Sequence, residues 1–152
     1  MIEMTRNEID RLLADARIGR LCLASAGGRP YCIPLPFCWI DGSLYLRIPL
    51  TGRKGSILAA NDHVCFEVDH VSDSMDDYAS VLIEGRLAPV MDLAERAAVK
   101  RLNTHKYERL RGGYRPGHGR STPMEDLPLR KILVEQVSGR AKESEAFATN
   151  RS

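Results

Sequence analysis

Short β-rich runs separated by glycine turns constrain the fold of this chain more than any other feature. The runs at 18–26 (IGRLCLASA) and 31–40 (YCIPLPFCWI) are separated by a Gly-Gly pair at 27–28, which is a hairpin signal. A second turn, Asp-Gly at 41–42, leads into a third run, LYLRI at 44–48. Strands joined by such tight turns pair antiparallel. The first third of the chain therefore predicts an antiparallel meander.

Three further β-rich runs and three helices complete the pattern. The runs are HVCFEV at 63–68, YASVLIEGRLAPV at 78–90 and KILVEQV at 131–137. Helices are predicted from the capping box T-R-N-E at 5–8, after the turn at 51–56, and from D-L-A-E at 92–95 to about Lys106. Six short strands without a regular βαβ alternation predict a mainly β fold, a small antiparallel barrel with helices at its ends.

Two prolines interrupt the second strand. Neither Pro34 nor Pro36 has a backbone N–H to donate to a sheet ladder. We therefore expect this strand to be bulged or partly unpaired along P-L-P, which leaves backbone groups available to a ligand.

The turn T-G-R-K-G-S at 51–56 joins an apolar strand to a helix. Free N–H groups at a helix start, a threonine hydroxyl and the cations Arg53 and Lys54 are the groups that bind a phosphate. Two alternatives stay open: an exposed turn with solvated charges, and the G-x-x-G loop of a KH-type RNA-binding module. In a KH module that loop joins two helices, but a basic stretch at 100–120 keeps RNA binding under consideration.

Cysteines and histidines give no catalytic or metal-binding pattern. The cysteines occur singly inside apolar runs without a C-x-x-C pair, so we expect buried, reduced thiols and no metal site. His118 lies between glycines in a Gly/Pro-rich segment at 111–128, predicted to be a surface loop, where it is a candidate to cover a ligand. The other residues of these two types are Cys22, Cys32, Cys38, Cys65, His63, His70 and His105.

Length and charge exclude few classes of protein. A chain of 152 residues forms one domain, and a net charge of +2 does not by itself imply a polyanionic partner. The N-terminal segment at 1–16 has mixed charge and no continuous apolar run, so we expect a cytoplasmic protein without a membrane span. We expect one domain at 1–141 and a disordered tail at 142–152.

Taken in order, these segments resemble the pyridoxamine 5′-phosphate oxidase-like split-barrel flavoproteins, and look most similar to their nitroimidazole-resistance-like branch. The resemblance rests on ARIGRLCLASAGGRPYCIPLPFCWIDGSLYLRIPLTGRKGSILAANDHVCFEVD at 16–69, YASVLIEGRL at 78–87 and ILVEQVSGR at 132–140. It implies a six-stranded antiparallel split β-barrel, a homodimer, and FMN bound in a groove between the subunits.

The resemblance also implies a set of flavin contacts. The turn after the third strand holds the phosphate, and the second strand lies along the isoalloxazine ring. Where the nitroimidazole branch commonly has a histidine in the third strand, this chain has Arg47, which can contact phosphate but cannot titrate near neutral pH. The implied cofactor-binding residues are Pro34, Leu35, Pro36, Phe37, Arg47, Thr51, Gly52, Arg53, Lys54 and Ser80.

The resemblance favours an FMN-dependent oxidoreductase whose substrate, electron donor and catalytic residues stay open. The alternative is a flavin-binding or sensing protein without turnover. A KH-like RNA-binding module is the third hypothesis.

Overall fold

The computed structural model describes residues 1–110 and 128–142, which form a curled antiparallel sheet with three helices. The strands are β1 (Ile2–Glu3), β2 (Gly19–Ala24), β3 (Pro30–Leu35), β4 (Cys38–Ile40), β5 (Ser43–Arg47), β6 (His63–Val71), β7 (Tyr78–Pro89) and β8 (Leu129–Ala141). The helices are α1 (Arg6–Asp15), α2 (Gly52–Ala60) and α3 (Leu93–Leu110).

The strand order shows that the sheet curls into a barrel. Neighbouring strands follow the order β3-β2-β6-β7-β8-β5-β4, and the short β1 pairs with β8. Strands β3 and β4 therefore stand at opposite ends of this path, although only Pro36 and Phe37 separate them along the chain. Three residue steps span at most about 11 Å. The two ends of the sheet must therefore approach each other, which leaves a seam between β3 and β4.

The predicted mainly β, split-barrel fold is confirmed. All six predicted strands are present, and the second is divided into β3 and β4 at Pro36. Pairing with β2 continues through Pro34 and Leu35, so the break comes later than the first proline. The sequence did not predict β1, which is only two residues long.

Alternation of buried and exposed residues explains how the sheet encloses a core. Strand β2 buries Gly19, Leu21 and Leu23, while its other residues are half-buried. Phe66 of β6 is fully buried and packs edge-on against Phe37 at 5.2 Å between ring centroids. A Cβ atom on Gly19 would lie 2.2 Å from the Phe66 ring, so only glycine fits at that position.

The helix starts follow the predicted capping residues. Thr5 accepts a hydrogen bond from the Glu8 N–H at 3.3 Å, and the Glu8 carboxylate accepts one from the Thr5 N–H at 2.6 Å. Asp92 accepts from the Glu95 N–H at 2.8 Å at the start of α3. Helix α3 continues to Leu110, one turn beyond the predicted end.

Several expectations fall on residues outside the described part of the chain. The predicted surface loop at 111–128, which includes His118, lies outside the described part except for Pro128. The tail beyond Lys142 also lies outside it. None of the described helices is long and apolar enough to cross a membrane. The single-domain boundary at 141 stays a prediction.

Candidate functional site

The candidate site begins at the N-terminus of α2. Thr51 is the N-cap residue, and its side chain makes no capping hydrogen bond. The first turn of α2 contains no acidic residue. The first N–H groups of an α-helix have no acceptor within the helix, and the helix dipole gives this end a partial positive charge. This end of α2 therefore offers hydrogen-bond donors to an anion.

The backbone of the turn requires glycine at two positions, for a different reason at each. Gly52 has a φ of +65°, a backbone conformation that other residues rarely adopt. A Cβ atom on Gly55 would lie 2.4 Å from the carbonyl oxygen of Leu50, so a larger residue would push the helix start away from the preceding chain. The two glycines together allow the chain to turn from β5 directly into α2.

The two cations of the turn lie beside β3. The Arg53 guanidinium stacks over the Tyr31 ring at 4.6 Å, and Arg53 is exposed, whereas Lys54 is half-buried. Among the described residues, neither cation forms an ion pair with a carboxylate. Both charges are therefore available to a bound anion, and the contact with Tyr31 places the turn next to the strand predicted to lie along a flavin.

The hydrogen-bond pattern of the β2–β3 hairpin determines where its prolines lie. The Ser25 N–H donates to the Arg29 carbonyl at 2.9 Å, so this pair is a hydrogen-bonded position. Hydrogen-bonded and non-hydrogen-bonded pairs alternate in an antiparallel ladder. Pro30, Cys32 and Pro34 therefore occupy non-hydrogen-bonded positions, where a missing N–H costs nothing in the ladder. The carbonyl groups of these residues point towards the open seam.

The crossover from β3 to β4 is held by two residues of α3. The Tyr107 hydroxyl accepts a hydrogen bond from the Phe37 N–H at 2.8 Å and donates one to the Arg17 carbonyl at 2.8 Å. The Lys106 ammonium donates to the carbonyls of Leu13 and Phe37, both at 3.1 Å. Neither α3 residue was a candidate from the sequence, because nothing local links them to the crossover.

Phe37 contributes to the core rather than to an accessible surface. Its side chain is only 1% exposed, and its backbone N–H and carbonyl both bond to α3. The expectation that the Phe37 side chain faces a flavin ring does not fit this burial. Pro34 is exposed, while Leu35 and Pro36 are half-buried, so these three remain accessible to a ligand.

Burial lowers the pKa of Lys106 to about 8. The ammonium lies 3.8 Å from the centroid of the Phe37 ring, and the side chain is almost completely enclosed. Desolvation is the largest cause of the shift, because burial penalises the charged form. The two carbonyl contacts and the ring face compensate part of that penalty.

Arg47 and Ser80 lie on the outer side of the sheet, on strands other than β3. Arg47 ends β5 on the side that faces α3, where its charge favours the thiolate of Cys38, although burial raises the pKa of that thiol overall. Ser80 lies on β7, and two strands, β2 and β6, separate it from β3.

Three of the four cysteines do not have the expected burial. Cys38 is buried, but Cys32 is exposed, and Cys22 and Cys65 are half-buried. These three point outwards because they alternate with core residues along their strands. All four are free thiols, and the described residues contain no group of side chains suited to a metal ion.

The described histidines are all exposed. His63 and His70 lie on β6, and His105 lies on α3. The described geometry gives none of them a catalytic partner.

A curled antiparallel β-sheet with a seam between β3 and β4 is the architecture of a split-barrel protein. Residues 5–141 match the family model described as pyridoxamine 5′-phosphate oxidase. The chain belongs to this family, as its sequence resemblance predicted.

Solved structures support the fold. An FAD-binding protein from Mesorhizobium loti is 27% identical, with a TM-score of 0.69 over 93% of this chain and 98% of that chain. An FAD-binding protein from Mycobacterium smegmatis is 20% identical, with a TM-score of 0.68 over 93% and 98% of the two chains. A protein described as a 5-nitroimidazole antibiotic resistance candidate, from Bacteroides thetaiotaomicron, is 19% identical, with a TM-score of 0.67 over 93% and 90%.

A comparison with curated protein sequences finds no match. The fold excludes the KH-type interpretation of G-R-K-G, because the tetrapeptide forms the first turn of α2 and does not join two helices.

Proposed function

We propose that this protein is an FMN-binding oxidoreductase in which the α2 turn holds the flavin phosphate. The observation that carries the proposal is the N-terminus of α2. Its first N–H groups have no acceptor within the helix, and the side chain of its N-cap residue, Thr51, makes no capping hydrogen bond. Its two cations, Arg53 and Lys54, have no carboxylate partner among the described residues. Two similar structures are of proteins described as FAD-binding, which supports a flavin in this fold.

The phosphate contacts divide among backbone and side chains. The first N–H groups of α2 and the Thr51 hydroxyl donate hydrogen bonds, while Lys54 and Arg53 supply charge-assisted bonds. Arg53 is already oriented by stacking on Tyr31, which reduces the rotamer freedom it loses on binding. Gly52 and Gly55 are required by the path of the backbone and not by contacts of their own.

The ring contacts fall on the seam beside β3. Pro34, Leu35 and Pro36 offer apolar surface, and the Pro34 carbonyl points towards the open seam, while Pro36 lies beyond the pairing with β2. Tyr107 and Lys106 fix the crossover that follows, so they act as positioning residues for this surface. Arg47 and Ser80 lie on β5 and β7 and are not part of this surface beside β3.

A bound flavin supplies hydride and electron transfer, while the protein supplies orientation, electrostatics and exclusion of water. None of the described residues near the turn is a histidine or carboxylate placed to move a proton. The cations of the turn, Arg53 and Lys54, favour the reduced, more negative state of a nearby ring.

Repeated reduction and reoxidation of the bound flavin would distinguish an oxidoreductase from a non-catalytic flavin-binding or sensing protein. The test is to mix the FMN-loaded protein with NADH or NADPH without oxygen and follow the flavin absorbance. Bleaching, followed by recovery when an electron acceptor is added, is the expected result. Stable flavin absorbance with every reductant and acceptor tried would favour the sensing protein.

We further propose that the functional unit is a homodimer. Ser80 lies on β7, which β2 and β6 separate from β3 in one protomer, and a two-fold axis lets one copy bring its Ser80 beside the other copy's turn. Leu133 on the outer side of β8 is 48% exposed, which gives this face an apolar contact for a partner. Sedimentation velocity should give twice the 17.0 kDa chain mass. A monomer that retains FMN at micromolar concentration would contradict the dimer.

A further inference from the structure

Three cysteines form a row across the outer face of the sheet, and we infer that two of them, Cys22 and Cys32, are a redox-modification site. A low-molecular-weight disulfide such as oxidised glutathione converts this dithiol into a cross-strand disulfide. Cys32, Cys22 and Cys65 are consecutive Cα partners on β3, β2 and β6. This site is separate from the flavin proposal and does not depend on it.

The hairpin register brings the two thiols into reach of each other. The Cys22 thiol donates to the Cys32 sulfur, and the two Sγ atoms are 3.6 Å apart. The pair occupies a non-hydrogen-bonded position, because Cys32 is two residues from both Pro30 and Pro34, which also occupy such positions. Such pairs have Cα atoms about 4.5 Å apart and close side chains, within the range that a disulfide spans. Rotation of the side chains is sufficient to form the bond.

The same register disfavours the bond between Cys22 and Cys65. The backbone groups of Cys22 that point away from β3 point towards β6, so Cys22 and Cys65 form a hydrogen-bonded pair. The Cβ atoms of such a pair are about 5.5 Å apart, farther than the roughly 3.5–4.5 Å that a disulfide spans. Cys65 is also half-buried, whereas Cys32 is exposed to an oxidant. Cys38 faces the cluster beneath α3 and is buried. The geometry therefore selects one pair among four cysteines.

The exposure of Cys32 and the raised pKa of Cys22 determine which thiol reacts first. Burial and the neighbouring thiols of Cys32 and Cys65 raise the pKa of Cys22 to about 12, so Cys22 stays protonated when the oxidant arrives. The exposed Cys32 loses its proton to solvent and attacks glutathione disulfide, the S–S bond of glutathione breaks, and one glutathione thiolate leaves. Cys22 then attacks the Cys32 sulfur, loses its proton to solvent, and releases the second glutathione. The protein dithiol is oxidised by two electrons, and one glutathione disulfide becomes two thiols.

The bond would tie β3 to β2 at the residue that follows Tyr31. Because none of the described strands pairs with the other side of β3, this covalent link would fix the edge that faces the seam. Tyr31 also carries the stacking contact with Arg53. Oxidation therefore acts on the strand that contacts the α2 turn.

Differential alkylation of the folded protein tests the proposal. After incubation of the folded protein with oxidised glutathione, acid quenching and unfolding in urea let iodoacetamide block every free thiol, including the buried Cys38. A reductant then opens disulfides, and N-ethylmaleimide labels the released cysteines. Trypsin leaves the Arg29–Pro30 bond intact, so Cys22, Cys32 and Cys38 stay in one peptide at 21–47 and Cys65 in another at 55–86. We expect maleimide on Cys22 and Cys32 only, and a link within the first peptide before reduction.

Variants and a denatured control show whether the pairing of the folded strands, or only closeness in sequence, selects the two cysteines. Cys65→Ser should give the wild-type pattern, while Cys22→Ser should stop at a glutathione adduct on Cys32. In urea, Cys32 and Cys38 are closer in sequence, so their bond should appear and the selectivity should be lost. Three results would overturn the proposal: maleimide on Cys65 in place of Cys32, a wild-type reaction that stops at the glutathione adduct or does not occur, or the same pattern in urea.

Discussion

Replacing Lys54 with alanine should weaken FMN binding by roughly ten- to a hundredfold and leave riboflavin binding almost unchanged. A hydrogen bond to a charged group contributes about 1.5–3 kcal/mol, which corresponds to this loss in affinity. Riboflavin lacks the phosphate, so a loss confined to FMN identifies the phosphate as the group that Lys54 contacts. Fluorescence titration of the apoprotein with both flavins measures the two affinities.

Controls separate a phosphate contact from general effects of charge and folding. Lys100→Ala removes the same charge from the exposed surface of α3, and we expect it to leave both affinities unchanged. The free energy of unfolding of the apoprotein should change by no more than about 0.5 kcal/mol, because the turn lies at the surface. Equal losses for FMN and riboflavin would assign the effect to misfolding, and no loss for FMN would make the turn a solvated loop.

Arg53 provides an independent check on the same site. Arg53→Ala should also weaken FMN more than riboflavin, because it removes both a cation and the contact with Tyr31. The double variant with Lys54→Ala should lose less than the sum of the two single losses if both cations share the phosphate.

Raising the pH should stabilise the fold through Lys106. Its pKa falls from 10.5 to about 8 in the folded protein, so between these values the unfolded chain binds a proton that the folded chain does not. Stability therefore rises with pH across this window, and below about pH 8 the buried charge costs its full amount. At 1.36 kcal/mol per pKa unit, the complete gain is about 3 kcal/mol.

Urea unfolding at pH 7.0 to 10.0 measures this contribution against a matched variant. Lys106→Met keeps a long apolar side chain and removes the titrating group, so its free energy of unfolding should lack the rise that wild type shows. The difference between the two slopes isolates Lys106 from other groups that titrate in this range. Parallel slopes for the two proteins would mean that the ammonium is not desolvated.

The strands and the turn could be predicted because their signals are local. A Gly-Gly pair and an Asp-Gly pair lie between the first three β-rich runs, and T-R-N-E specifies the start of α1. The division of the second strand was also foreseen in part, since prolines weaken a ladder. The exact break at Pro36 depends on the barrel closing, because the chain must cross from one end of the sheet to the other there.

The contacts that fix the crossover could not be predicted, because they join segments far apart in sequence. Tyr107 and Phe37 are 70 residues apart, and only the curvature of the sheet brings α3 to that position. The burial of Phe37 follows from the same closure, so the family resemblance alone, which implied that its side chain faces the flavin ring, did not reveal it.

The cysteine row had a partial signal in the sequence. In a hairpin centred on Gly27, Cys22 and Cys32 are equally distant from the turn, so their pairing follows from the hairpin alone. Cys65 joins them only through the distant pairing of β2 with β6. Treating each cysteine as a separate core residue missed this relation.

The most direct test of the central claim is to identify the flavin that the protein binds and the group by which it is held. The apoprotein should bind FMN much more tightly than riboflavin, and the chromophore released from the purified protein by denaturation should have the mass of FMN. Inorganic phosphate should compete with FMN but not with riboflavin. Equal affinity for FMN and riboflavin, or a protein that binds neither, would contradict a phosphate site at the start of α2.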